Sequence, residues 1–274
     1  MAHINPFIRW AGGKSWLAKK IQFILGDTKF NRYHEPFLGG AAIFLSLDIK
    51  RRAYLSDINK ELVDTYKAIR SNPHEVIQAF QSLEVSEEQY YKIRNIIPDN
   101  EVEKAARFIY LNQTSYNGLY RVNKNGKYNV PYGFRERMKY DANRILLASK
   151  KLSNANIAHG DFTINKKNIR QGDLVFLDPP YTVSPNNNGF VEYDQKFFSL
   201  DDQHRLSEFI DFIKQRMGYY ILTNAANSKI EEIFDKNDRM IEFERYSLIG
   251  GKNAERKLIS EFVFTNIAGG NPHD

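Results

Sequence analysis

The chain opens with short apolar runs alternating with apolar positions at helical spacing. Leu17, Ile21, Ile24 and Leu25 predict a helix over residues 15–25. Residues 32–35 read as a short strand that gives way to Pro36, Gly39 and Gly40, with a helix starting near Ala41. Residues 53–56 predict a second strand, ending at Asp57. A strand–helix–strand opening of this kind calls for a parallel, doubly wound α/β sheet. From position 59 to 110 the pattern is nearly all helical. Leu62, Tyr66 and Ile69 share one face, and helices are expected over 73–80, 87–96 and 101–111. Turn residues then cluster at Asn117-Gly118, Asn125-Gly126, Pro131 and Gly133, which argues for a hairpin or an ordered loop. Strand character returns at 156–158, 174–177, 220–222, 240–243 and 259–264. A helix over 200–216 has Ser199 and Asp202 to cap it. The expected organisation is one α/β domain, residues 1–58 and 154–274, interrupted by a helical and hairpin insertion over 59–153.

Composition narrows the class. The 274 residues are 42% hydrophobic and 26% charged, ordinary for a globular chain, and only 268–274 read as a frayed end. No apolar run reaches membrane-spanning length, and the first residues lack the build of a signal peptide, so a cytoplasmic protein is expected. Cysteine is absent. That removes disulfides, thiolate metal sites and the thiolate nucleophile needed to methylate ring carbon 5 of cytosine. Without a carboxylate cluster at ligand spacing, His34 and His159 are taken as structural and no metal is expected.

Charge changes the picture of the insertion. Net charge is +6, and Arg121, Lys124, Lys127, Arg135, Arg137, Lys139 and Arg144 are set against only Glu136 and Asp141. Such a cluster can be a plain solvated face. Interleaved with Tyr116, Tyr120, Tyr128, Tyr132 and Phe134, it has the make-up of a surface for phosphates and bases.

Four short elements carry the candidate chemistry. The apolar strand 174–177 runs into Asp178-Pro179-Pro180-Tyr181, and ligands of open α/β sheets bind beyond the carboxyl ends of strands. Two prolines stiffen the backbone and leave carbonyls free to accept. An amine bound there can donate to the Asp178 carboxylate and the Pro179 carbonyl while Tyr181 stacks on the ring that carries it. Catalysis is then orientation plus stabilisation of positive charge growing on nitrogen. The second element, Glu35-Pro36-Phe37-Leu38-Gly39-Gly40, lets a ligand approach a strand-to-helix turn. Asp57, one strand later, is placed either to bind ribose hydroxyls or to cap the helix near Asn59. In the third, Gly12-Gly13-Lys14 mimics a phosphate loop, but Ile8 stands where that motif needs glycine, which excludes nucleoside triphosphate hydrolysis. Its amides and Lys14 still suit a polar ligand, and Trp10 is either core or packing for a cofactor. In the fourth, Asp161 can accept from an adenine amine while Phe162 packs beside that ring.

These elements, in this order, resemble the Dam-type family of DNA adenine-N6 methyltransferases, the alpha group of the D12 class. The likeness spans Phe7 to Asn266 and includes two runs of the insertion, Tyr116-Asn117-Gly118-Leu119-Tyr120-Arg121-Val122-Asn123 and Tyr128-Asn129-Val130-Pro131-Tyr132-Gly133. It implies a Rossmann-like methyltransferase sheet, S-adenosylmethionine as cofactor with S-adenosylhomocysteine as product, and an adenine flipped from duplex DNA. By position, Trp10, Lys14, Asp57 and Asp178 look like cofactor contacts, with Glu35, Phe37, Gly39, Asp161 and Phe162 completing the pocket. Asp178, Pro179, Pro180 and Tyr181 look like the catalytic motif. In relatives that methylate GATC, residues matching Tyr116, Asn117, Leu119, Arg121 and Pro131 meet the DNA. Arg9, Asn123, Lys127, Arg135 and Arg137 extend that expected contact set. Physically, Arg121 can read a guanine edge, Leu119 or Pro131 can touch a thymine methyl, and Tyr116 can wedge into the base stack. Arg9 stands where several relatives carry lysine, and 113–115 and 183–190 also depart from the family pattern.

Other readings share parts of this pattern. A cytosine-N4 methyltransferase alkylates the same kind of amine, but more often has serine at the place of Asp178. An RNA methyltransferase can carry a similar motif, but not the DNA-type insertion. A non-catalytic DNA-binding subunit would not need an intact Asp178–Tyr181. The resemblance is compatible with a cognate restriction endonuclease as partner and equally with a solitary or phage enzyme.

Overall fold

The computed structural model describes residues 4–135, 138, 140–181, 198–246 and 258–270. Arg137, Lys139 and the stretch 183–190 lie outside the described residues. Seven strands follow the order β3-β2-β1-β4-β5-β7-β6 in one mostly parallel, Rossmann-like sheet. The chain divides into two compact units, Met1–Ile21 with Leu38–Ile164 and Gln22–Phe37 with Asn165–Asp274.

The second unit holds the strands β1 (Tyr33–Glu35), β4 (Leu174–Leu177), β5 (Tyr219–Ala225), β6 (Arg239–Tyr246) and β7 (Leu258–Thr265). β1 and β4 are buried at every position, as apolar runs in a covered parallel sheet should be. β4 pairs in parallel with both β1 and β5, with Tyr33 opposite Leu174 and Leu177 opposite Leu222. The strand order reverses between β1 and β4, which makes their carboxyl ends the switch point of the sheet. β5 then pairs antiparallel with β7, and β7 with β6. The helix over 200–215 is closed by the expected pair as a full capping box. Asp202 N donates to Ser199 Oγ at 3.2 Å, and Ser199 N donates to Asp202 Oδ2 at 2.9 Å.

The first unit carries the parallel pair β2 (Ala53–Asp57) and β3 (Ala155–His159) and the helical segment. Its helices are α1 (Ser15–Ala18), α3 (Ala42–Ser46), α4 (Lys60–Ser71), α5 (Pro73–Gln81), α6 (Glu87–Asn95), α7 (Glu101–Thr114) and α8 (Ala142–Leu152). α4 buries Leu62, Tyr66 and Ile69 on the expected face. α7 is buried at every position from Ala105 to Thr114, the mark of a helix packed on all sides. One charge lies within that buried run: Arg107 donates to the Ile93 and Arg94 carbonyls at 3.0 and 2.7 Å and faces Glu61.

Three expectations change. The helix expected over 15–25 is two pieces, α1 and α2 (Ile21–Leu25), because Lys20 N turns back onto the Leu17 carbonyl at 2.8 Å. α8 is an additional helix, capped where Arg144 N donates to Asp141 Oδ1. The start of the tail is docked: Arg239 donates to the Ala268 and Gly270 carbonyls, and Gly270 N to that of Phe23.

Candidate active site and nucleic-acid interface

The carboxyl end of β4 delivers Asp178 half-buried, Pro179 buried and Pro180 exposed. Thr223, fully buried on the neighbouring β5, donates from Oγ1 to Asp178 Oδ1 at 2.7 Å. A carboxylate offers about four acceptor positions, and this bond fixes the orientation of the group. The Tyr181 hydroxyl donates to Glu261 Oε2 at 2.7 Å, and Glu261, on β7, is 1% exposed. Glu261 Oε1 in turn accepts from Arg245 Nε at 2.5 Å. Burial, with the nearby charges of Glu261 and Asp178, holds the Tyr181 phenol well above its ordinary range, so the ring stays neutral. At the end of β1, Glu35 is buried and accepts from the Tyr33 hydroxyl at 2.8 Å, and Phe37 packs edge-on to Phe198. The second unit thus gathers Glu35, Phe37 and Asp178–Tyr181 from the carboxyl ends of β1 and β4.

The first unit gathers the other expected cofactor residues around the turn after Leu38. Gly39 has φ +45°, and a Cβ there would lie 2.7 Å from the Trp10 ring. Only glycine admits the indole. Gly39 N donates to Asp57 Oδ2 and Asn59 N to Asp57 Oδ1, both at 2.9 Å. The helix-capping role weighed for Asp57 falls instead to Asn59, whose side chain accepts from Leu62 N. Burial pushes the Asp57 carboxyl above its ordinary range, opposed by the amide donors of Gly39 and Asn59. Ala41 sits at φ +56°, a costly conformation for a residue with a side chain and a frequent companion of functional turns. Lys14 immediately precedes α1. It is buried, and its Nζ donates to the Gly12 carbonyl at 2.8 Å. Asp161 Oδ1 accepts from Thr163 N and Oγ1, beside the buried Phe162. Trp10 is half-buried and stacks on Tyr120, with ring centroids 5.8 Å apart and planes 26° apart.

The same unit builds the basic hairpin as paired turns without regular strands. Val122 bridges Tyr128 and Ser115 bridges Tyr132, and Asn123 Oδ1 closes the tip by accepting from Asn125 N and Lys127 N. Arg121 is exposed and oriented by Asn129, whose Oδ1 accepts from its Nε at 2.8 Å. Tyr116 is 47% exposed on a 3₁₀ turn that Asn117 (φ +54°) and Gly118 (φ +67°) make possible. Leu119 is half-buried, while Pro131 and Lys127 are exposed. Arg9 is tied to this turn. Its N donates to Asn112 Oδ1 at 2.8 Å, and Asn112 Nδ2 donates to its carbonyl at 2.7 Å. Gln113 Nε2 holds the Phe7 carbonyl, and Gly133 N donates to that of Thr114. A Cβ at Gly118 would fall 2.4 Å from Arg9 Cδ. Burial and the charge of Arg135 lower the Arg9 guanidinium from its ordinary value, a like-charge pair that favours an acceptor nearby. Phe134, absent from the expected contacts, is 78% exposed at φ +51°. Its place in the basic aromatic run was the available signal.

Comparison with known proteins gives a consistent result. The family model described as D12 class N6 adenine-specific DNA methyltransferase matches residues 10–248. The chain is 34% identical over 276 residues to the type II methyltransferase M1.LlaDCHI of Lactococcus lactis subsp. cremoris, covering 96% of each chain. It is 35% identical over 246 residues to the type II methyltransferase M.MjaIII of Methanocaldococcus jannaschii, covering 82% of this chain and 85% of that one. Against the DNA adenine methylase of Escherichia coli K12 it is 28% identical over 265 residues, covering 94% of each.

Proposed function

The chain belongs to the D12 class of N6 adenine-specific DNA methyltransferases, and from that premise we propose that Asp178–Tyr181 transfers a methyl group from S-adenosylmethionine to N6 of an adenine flipped out of duplex DNA. The observation that carries this reading is the end of β4, where Asp178 is oriented by Thr223 and Tyr181 is anchored at its hydroxyl. The Asp178 carboxylate and the Pro179 carbonyl accept the amine hydrogens, which draws the nitrogen lone pair out of the ring. Tyr181 supports the base, and its neutral ring suits a flat, apolar face. The bound cofactor supplies an electrophilic methyl on a sulfonium. As the nitrogen–carbon bond forms and the sulfur–methyl bond breaks, releasing the neutral thioether, Asp178 in this reading stabilises the positive charge on nitrogen and takes the proton it sheds.

The residues around Gly39 fit a nucleoside cofactor. Asp57 is a buried carboxylate whose charge lacks full compensation, and ribose hydroxyls are donors of the kind it calls for. Trp10 and Phe162 offer aromatic faces, and Asp161 an acceptor. In this reading Lys14 completes the contacts of this unit. The directions give a pH test. The folded Asp57 carboxyl titrates above its unfolded value, so its ionised form costs stability as pH rises through that window. Hydroxyl donors bind that ionised form. Cofactor affinity is therefore expected to fall by up to about tenfold per pH unit as pH drops through the raised pKa. Asp57→Asn should flatten the profile in calorimetry. A wild-type profile that is already flat would remove Asp57 from the ribose contact.

The insertion over 59–153 serves as the target-recognition domain in this reading, with Tyr116 entering the base stack and Arg121 on a guanine edge. Asn117, Leu119, Asn123, Lys127, Pro131, Arg135 and Arg9 line the same hairpin region. Arg121→Ala should relax sequence choice at one base pair, costing about 1–3 kcal/mol of discrimination. Methylation-sensitive sequencing of DNA from expressing cells reads this directly, and an unchanged recognition sequence would take Arg121 out of the reading set. GATC is the first sequence to test, and the type II relatives make a cognate restriction endonuclease the partner to seek. The reaction itself is tested with labelled methyl donor and duplexes of varied sequence. Label on N6-methyladenine is expected, and label confined to cytosine, or absent, overturns the proposal. Among the described residues, no helix is long and apolar enough to cross a membrane.

A further inference from the structure

Glu261 lies 80 positions from Tyr181 in sequence. Its carboxylate is 1% exposed, on a strand paired on both sides: Ala225 of β5 and Phe243 of β6 are its register partners. A buried acid on such a strand is costly, and an apolar residue would hold the hairpin at least as well. The two oxygens are divided between two tasks. Oε1 accepts from Arg245 Nε at 2.5 Å, which fixes the carboxylate, and Oε2 accepts the Tyr181 hydroxyl at 2.7 Å. Tyr181 is thereby held at both ends, by the double-proline backbone on one side and by the buried acid on the other. A ring anchored only at its backbone keeps a free torsion, and a supporting plate that rotates cannot hold a base in one plane.

We propose that Glu261, fixed by Arg245, is a positioning residue for methyl transfer, setting the plane of Tyr181 through its hydroxyl. The inference rests on Asp178–Tyr181 being the transfer site.

Wild type, Y181F, E261M and the double variant decide it, methionine filling the place of Glu261 without an acceptor for the hydroxyl. Y181F keeps the ring and the Glu261–Arg245 pair and removes the hydroxyl, with its bond to Glu261 and its contact with Thr223. Each single variant is expected to lower single-turnover kcat by about 10–100-fold, the scale of a misplaced reacting group, with KM for DNA and cofactor affinity little changed. The double variant should be no slower than the slower single, because both changes cut one tether. A duplex with 2-aminopurine at the target position should still show extrusion in every variant, with weaker quenching of the flipped probe wherever the tether is lost. Wild-type kcat in Y181F overturns the proposal, and so do single effects that multiply in the double, which would make Glu261 a stabiliser of the β6–β7 hairpin acting apart from Tyr181. If E261M does not fold, a wild-type rate in Y181F still overturns the proposal. Absence of adenine methylation by wild type removes the reading beneath the proposal, an outcome distinct from active wild type with indifferent variants.

Discussion

Asp178→Ala is expected to lower the rate of methyl transfer by about 10²–10⁴-fold, the range for removing one group that both orients a reactant and stabilises developing charge. The carboxylate has both tasks, and the isosteric Asp178→Asn separates them. Asparagine keeps an acceptor oxygen for the amine and for Thr223 Oγ1, now 2.7 Å from the carboxylate. It loses the negative charge opposite the forming ammonium. Asp178→Asn should therefore fall between wild type and Asp178→Ala if geometry contributes, and match Asp178→Ala if charge is all that matters. DNA affinity should be nearly unchanged in both, because the cationic and aromatic residues of the hairpin are untouched. Quenched-flow turnover with a gel or anisotropy binding assay reads both quantities. Near-normal turnover in Asp178→Ala would take the residue out of the chemistry.

The second large effect is on DNA affinity. Lys124 and Lys127 are exposed and Arg135 and Arg144 half-exposed on or next to the hairpin. If these four meet phosphates, the logarithm of affinity falls with the logarithm of salt at a slope of about −3.6, so that raising salt fourfold weakens nonspecific binding about 150-fold. Replacing Lys124 or Lys127 with alanine should lower that slope by about one each and leave the order of preferred sequences intact. Arg121→Ala should do the reverse. A flat salt response in wild type would rule out phosphate contact by this stretch.

The parts of this molecule legible in sequence are those governed by near neighbours. β4 was readable to the residue because its apolar run stops at Asp178, and the Ser199–Asp202 cap needed only a spacing of three. The break between α1 and α2 was not readable, since the apolar spacing continues through Lys19 and Lys20 while the backbone turns. α8 was legible in principle: Ile145, Ala148 and Leu152 fall at helical spacing and Asp141 was available as its cap, but the run lies inside the basic stretch that reads first as a nucleic-acid surface. In the candidate site, the motif residues declared themselves, but their supports did not. Thr223 and Glu261 reach Asp178 and Tyr181 across 45 and 80 positions, and only the pairing of β4, β5 and β7 brings them there. Arg9 likewise stood out as a cation, whereas its clamp by Asn112 depends on where α7 ends.

That clamp bears on how a new target sequence could be engineered. Asn112 and Gln113 grip the main chain at Arg9 and Phe7, Gly118 leaves room for the Arg9 side chain, and Gly133 rests on the Thr114 carbonyl. The hairpin is therefore not a detachable cassette. A chimaera that imports only residues 116–135 from a relative of different specificity would inherit a foreign turn on a native socket, while one that also exchanges 7–9 and 112–115 would carry the matching seat with it.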